Sequence, residues 1–113
     1  MKDYPTDRQL KMIRYWDSTI EELYDFIVEL WEYEPPSMRN GFNSLRKYVY
    51  KMEIHTWGWS GNEDIVEELK HTMFWIVCWQ KSTRGGHYYF EIPRWALTDL
   101  KCDWGDPRKV NRK

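Results

Sequence analysis

The sequence predicts an α+β domain with a small, mainly antiparallel sheet, on three observations. Hydrophobic residues recur with helical spacing over residues 6 to 31, the period changes to two after residue 45, and a glycine-containing turn at residues 82 to 86 joins two apolar runs. The chain has 113 residues, the size of one ordinary domain, and at that length roughly two-thirds of the unfolded surface is buried without disulfides or metals. Residues 1 to 102 are therefore expected as a single domain, and 103 to 113 as a basic, mobile tail.

Each element has its own signal. Thr6 followed by Gln9 forms a capping box that opens a first helix, continued by Leu10, Ile13 and Trp16. Ser18 with Glu21, or Thr19 with Glu22, opens a second helix, whose stripe of Ile20, Leu23, Tyr24, Ile27, Leu30 and Trp31 is continuous. Pro35 and Pro36 are expected to end it. Tyr48, Tyr50, Met52 and Ile54 then alternate with Lys51, Glu53 and His55, the pattern of a strand with one wet face. Ser60 with Glu63 reads as a third capping box, for a short helix that buries Ile65, Val66 and Leu69 and ends near His71. The stretch "MFWIVCWQ" is apolar on both faces and is expected as a central strand. "STRGG" is a hairpin turn, and "HYYFEI" returns as the antiparallel partner as far as Pro93. The expected order is α-α-β-α-β-β, with a weak signal after Trp95.

Composition narrows the function classes. Aromatic residues make up 18% of the chain, with eight Trp and eight Tyr, more large rings than a small core encloses. Some are expected on the surface together, where Trp and Tyr mark binding interfaces or a homodimer contact. A net charge of -1 disfavours a general nucleic-acid binder. The charge is uneven along the chain, however. Residues 17 to 34 carry acidic groups and no Lys or Arg, whereas 38 to 51 and 107 to 113 carry only basic ones. Cys78 and Cys102 form neither a metal pair nor a disulfide framework, so a reducing compartment is expected. The longest apolar run is too short to span a bilayer, and the expected setting is cytoplasmic, with no membrane partner.

The stretch "HTWGWSGNE" places Trp57 and Trp59 either side of Gly58, just before a helix start. One ring is expected to be buried and the other exposed. Gly58, Ser60, Gly61 and Asn62 form a possible anion site at that helix N-terminus, although the Lys and glycine spacing of a phosphate loop are absent. The succession "WSGNE", an apolar strand and then "RGGHYYFEI" resembles small uncharacterised proteins encoded by bacteriophages and prophages, over about residues 54 to 92. The resemblance implies a setting without a catalytic residue. Accessory proteins of that kind bind and redirect or block a host protein, including antiviral-defence components such as a CRISPR complex.

Chemical constellations are sparse. Glu53, His55, His87 and Glu91 would converge as an acid-base or metal site if their strands were neighbours, which would suit a small hydrolase or transferase. No catalytic, metal-binding or cofactor motif is present, so no catalytic residue, metal or cofactor is assigned. Arg84, Gly85 and Tyr88 match part of the aromatic RNA-binding strand of RRM domains, which leaves single-stranded nucleic-acid binding through Tyr89, the hairpin and the basic tail as an alternative. Glu21, Asp25, Glu29 and Glu32 form a like-charged stripe on the second helix, read either as a solvated face relieved by the helix dipole and the basic residues of 39 to 51 or as a docking face for a basic partner. The reading that unites these features is a non-enzymatic module that binds a host protein or complex through Trp57, Trp59, Arg84, His87, Tyr89 and this acidic stripe.

Overall fold

The computed structural model describes residues 3–99. Its elements run α1 (Asp7–Arg14), α2 (Ile20–Leu30), β1 (Ser37–Phe42), β2 (Tyr48–His55), α3 (Ser60–Leu69), α4 (Met73–Cys78), β3 (Trp79–Thr83), β4 (His87–Pro93) and α5 (Arg94–Asp99). The fold is α+β, and its four strands form one antiparallel sheet in the order β1-β2-β4-β3. The expected tail, residues 103 to 113, and Cys102 lie outside the described residues.

The caps of the first two helices form as their residues dictate. The Thr6 hydroxyl accepts from the Gln9 amide at 3.1 Å, and the Gln9 side chain accepts from the Thr6 amide at 2.9 Å. Of the two possible caps for α2, Thr19 is the one used, accepting from the Glu22 amide at 3.2 Å, while the Ser18 hydroxyl donates to the Glu22 carboxylate. The helix stops at Leu30, ahead of the proline pair. Trp31 turns extended so that its ring is buried and its indole N–H donates to the His55 carbonyl at 3.1 Å. The Trp31 indole is thus packed where the helix ends, ahead of Pro35 and Pro36, and Glu32 lies beyond it.

Three further elements depart from expectation. The run "MFWIVC" is helix α4, not a central strand: Thr72 caps it by accepting from the Trp75 amide at 3.2 Å, and Phe74 and Cys78, one turn apart, are buried while Ile76 and Val77 are exposed. Only Trp79–Thr83 continues as strand, at the sheet edge. β1, "SMRNGF", lacks β-branched residues and pairs with β2 through a turn in which the Asn43 side chain accepts from the amides of Leu45 and Lys47 at 2.9 and 3.0 Å. α5 follows directly on Pro93 and adds Ala96 and Leu97 to the core.

Every helix among the described residues lies on one side of the sheet. The core cluster draws Ile13 from α1, Ile20, Leu23 and Ile27 from α2, Ile65 and Leu69 from α3, and Phe74 from α4, and from the sheet it takes Met52, Ile54, Phe90 and Ile92. These sheet residues alternate along their strands, so they share one face of the pleat. The opposite face carries no helix among the described residues.

Tyr24 ties α2 to the start of β1 through a 2.8 Å bond from its phenol to the Pro36 carbonyl. Burial, with the charge of Asp25 added, raises the pKa of this phenol above its ordinary value. A folded-state pKa above the unfolded one means that the phenol's contribution is intact below the unfolded value and is lost as the pH rises through the folded one. Thermal stability is therefore expected to fall above about pH 10, and Tyr24→Phe should flatten that part of the profile, as differential scanning calorimetry at stepped pH would show.

Candidate functional site: the open sheet face and the Trp57 loop

β2 and β4 are the two central strands, paired with Lys51 opposite Glu91, Glu53 opposite Tyr89 and His55 opposite His87. These residues occupy the uncovered face, joined by Arg39 from β1 and Lys81 from β3. The imidazoles of His55 and His87 lie edge to face with centroids 4.3 Å apart, and their Nδ1 atoms are in contact. One ring then supplies the N–H and the other the lone pair. A Glu53 oxygen stands 3.9 Å from His55 Nε2, and its second oxygen 3.8 Å from an Arg39 nitrogen. Lys51 Nζ is 3.5 Å from Glu91, and Lys81 Nζ sits 5.0 Å above the Tyr89 ring.

The convergence expected of Glu53, His55, His87 and Glu91 is therefore partial. Glu53 and the two histidines gather, whereas Glu91 turns to Lys51. Among the described residues no group of three or more His, Cys, Asp or Glu could hold a metal ion. Arg39 and Lys51 already stand beside carboxylates and Lys81 on a ring, so a nucleic-acid phosphate would have to displace those partners.

At the end of β2 the chain is held from both sides. Thr56 is buried, its amide donates to the Gly86 carbonyl at 3.0 Å, and its own carbonyl accepts from the Trp59 amide and the Asn62 side chain, each at 3.1 Å. The next two residues turn left-handed, Trp57 with φ 57° and Gly58 with φ 72°. For a residue with a Cβ that conformation costs about 1–2 kcal/mol. Trp57 nevertheless leaves 49% of its surface exposed, with its ring 5.5 Å from His55 and its indole N–H 3.4 Å from the Glu34 carbonyl. Across from it stands Tyr33, also left-handed with φ 70° and also exposed. Tyr33, Glu34 and Trp57 line an open cleft of about 370 Å³. Strained non-glycine residues persist where the surroundings over-determine them, and they cluster at ligand clamps.

Trp59 has a different task. Its ring covers Gly61, where an added Cβ would come within 2.4 Å of it, and it meets Tyr4 edge to face with centroids 5.8 Å apart. Tyr4 in turn donates to the Asp64 carboxylate. α3 starts at Trp59 as N-cap with no side-chain cap bond, so the expected Ser60 and Glu63 box does not form. Asn62 is buried, and its amide group bonds both backbone groups of Glu32, at 3.1 and 3.0 Å, as well as the Thr56 carbonyl. Of the four residues expected around an anion, Gly61 lies under the Trp59 ring and the Asn62 side chain is engaged elsewhere, while Gly58 and Ser60 are exposed.

The remaining expected residues separate into two surfaces. Arg84 is exposed at the hairpin turn that precedes β4, and His87 and Tyr89 lie on the open face. Glu21, Asp25 and Glu29 line the outer side of α2, on the helical layer, and Glu32 belongs to the Asn62 junction instead. Sequence reasoning missed Tyr33, because a left-handed tyrosine after a helix has no composition signal. No family model matches the chain, and neither a curated protein nor a solved structure matches it. No helix among the described residues is long and apolar enough to cross a membrane.

Proposed function

We propose that this chain is a non-enzymatic protein-binding module that contacts its partner through the Trp57 loop and the adjoining open sheet face. The observation that carries the reading is Trp57 itself, half exposed yet held in a left-handed conformation by bonds on both sides of Thr56. An indole fixed in advance loses little entropy on binding, and a Trp with neighbouring Tyr and Arg side chains is the usual composition of an interface hot spot. Tyr33 completes the clamp, and His55, His87 and Arg84 extend it along the sheet. The resemblance to phage-encoded proteins suggests a bacterial host protein as partner, met in the host cytoplasm, with an antiviral-defence complex as one such target.

Affinity capture from nuclease-treated lysate of a bacterial host, read by mass spectrometry, tests the reading with the Trp57→Gly variant. Glycine takes a φ of 57° without strain, which offsets the lost contacts of the half-exposed ring, so the domain should stay folded while the partner is lost. A folded Trp57→Gly protein that still captures the same partner rejects this surface. Capture that disappears on nuclease treatment supports single-stranded nucleic-acid binding in its place.

A further inference from the structure

We propose that the groove between α1 and α2, on the opposite layer from Trp57, docks an amphipathic helix of a partner protein whose apolar stripe is flanked by Lys and Arg. The groove exists because the two helices diverge. α1 is fastened to α3 by buried Ile13 and by the Arg14–Glu68 ion pair at 2.7 Å, whereas α2 packs on the core side of the sheet and against α5. They come together at the corner where the Trp16 indole donates to the Thr19 carbonyl at 3.0 Å, and the space between them amounts to about 1040 Å³.

Its floor is apolar and uncovered. Trp16 and Phe26 lie with centroids 5.3 Å apart, and Met12 and Tyr15 beside them are 44% and 70% exposed. One wall is the outer side of α2, where Glu22, Asp25 and Glu29 follow one another at one-turn intervals on a helix that contains no Lys or Arg. Asp25 and Glu29 make no ion pair with any described residue. The facing wall offers Arg8 and Lys11 beside Asp7, so the carboxylates predominate. Apolar floor and acidic wall together fit the helix-in-groove mode, in which anchors at i, i+3/i+4 and i+7 enter the floor and basic side chains one turn apart meet the wall. An α2 of eleven residues is about 16 Å long, which matches roughly three turns of a partner helix.

The probe is a synthetic amphipathic helix of about 14 residues made of Leu and Lys, with a Leu and Glu peptide of the same pattern as its counterpart. Amide and indole NMR shifts of the full-length protein are followed on titration. The lysine peptide is expected to move Met12, Tyr15, Trp16 and Phe26, to bind at least about tenfold more weakly to a folded Asp25→Lys, Glu29→Lys protein, and to bind Trp57→Gly unchanged. Equal binding of the glutamate peptide, indifference to the charge reversals, or shifts confined to the exposed Ile76 and Val77 of α4 would each overturn the proposal. So would groove shifts in peptide-free protein when Arg108, Lys109, Arg112 and Lys113 are changed to Ser, because the occupant would then be the chain's own basic end.

Discussion

Asn62→Ala should destabilise the domain by about 3 kcal/mol, lowering the melting temperature by roughly 12–24 °C. The side chain is buried and makes three hydrogen bonds, two to the Glu32 backbone and one to the Thr56 carbonyl. Alanine removes all three and leaves partly buried backbone groups without their partner, at about 1–3 kcal/mol for each group that water does not reach. The Thr56 carbonyl keeps its bond from the Trp59 amide, which limits the loss there. Asn62→Asp keeps an acceptor for the Glu32 amide but discards both donated bonds and buries a charge, so it should be no better than alanine. Circular dichroism melts of the two variants measure this. Because Asn62 ties the segment after α2 to the loop after β2, hydrogen exchange should quicken at Thr56 and Trp57 as well as at Glu32. A variant as stable as the wild type would show that the junction contributes nothing, and the account of the fixed Trp57 would lose its support.

Gly86→Ala should cost about 3 kcal/mol. Gly86 has φ 78°, where an L side chain is strained by about 1–2 kcal/mol, and its Cβ would come within 2.1 Å of Thr56 Oγ1. Thr56 cannot retreat, since its amide and carbonyl are both bonded and its side chain is buried. Overpacking of a fixed neighbour adds about 1–3 kcal/mol. In a Thr56→Ala background the 2.1 Å contact is removed, leaving the backbone strain and a 3.3 Å approach to the Cβ of residue 56, so a double-mutant cycle should return a coupling of about 1–2 kcal/mol. Purely additive effects would mean that the hairpin turn and the Trp57 loop do not support one another. Both variants are expected to weaken partner capture through the same route, by releasing Trp57 from its left-handed conformation.

Local chemistry made several features legible in the sequence. The Thr6 and Thr19 caps, the apolar stripe of α2, the alternation of Tyr50 to His55 and the hairpin at residues 84 to 86 depend on side chains only a few positions apart, whereas at the start of β2 the expectation fails, Tyr48 being exposed and Val49 buried. The same alternation put Glu53 and His55 on one face and His87, Tyr89 and Glu91 on one face of their own strand. That those two faces coincide depended on β2 and β4 being neighbours, which pairing alone decides.

The errors share one cause, the replacement of a local preference by a tertiary contact. "MFWIVC" has the β-branched and aromatic residues of a strand, yet Thr72 caps it and the core accepts Phe74 and Cys78 from one helical face. β1 has little strand propensity of its own and forms because β2 offers it an edge. The sequence by itself determined the fold class, the surplus of aromatic surface and the separation of acidic from basic segments, since these follow from composition and short-range period. Only the tertiary structure decided which indole is displayed and which is used as a lid: Trp57 and Trp59 stand two positions apart, and packing over Gly61 and Tyr4 or strain beside Thr56 is a property of what the rest of the chain brings to them.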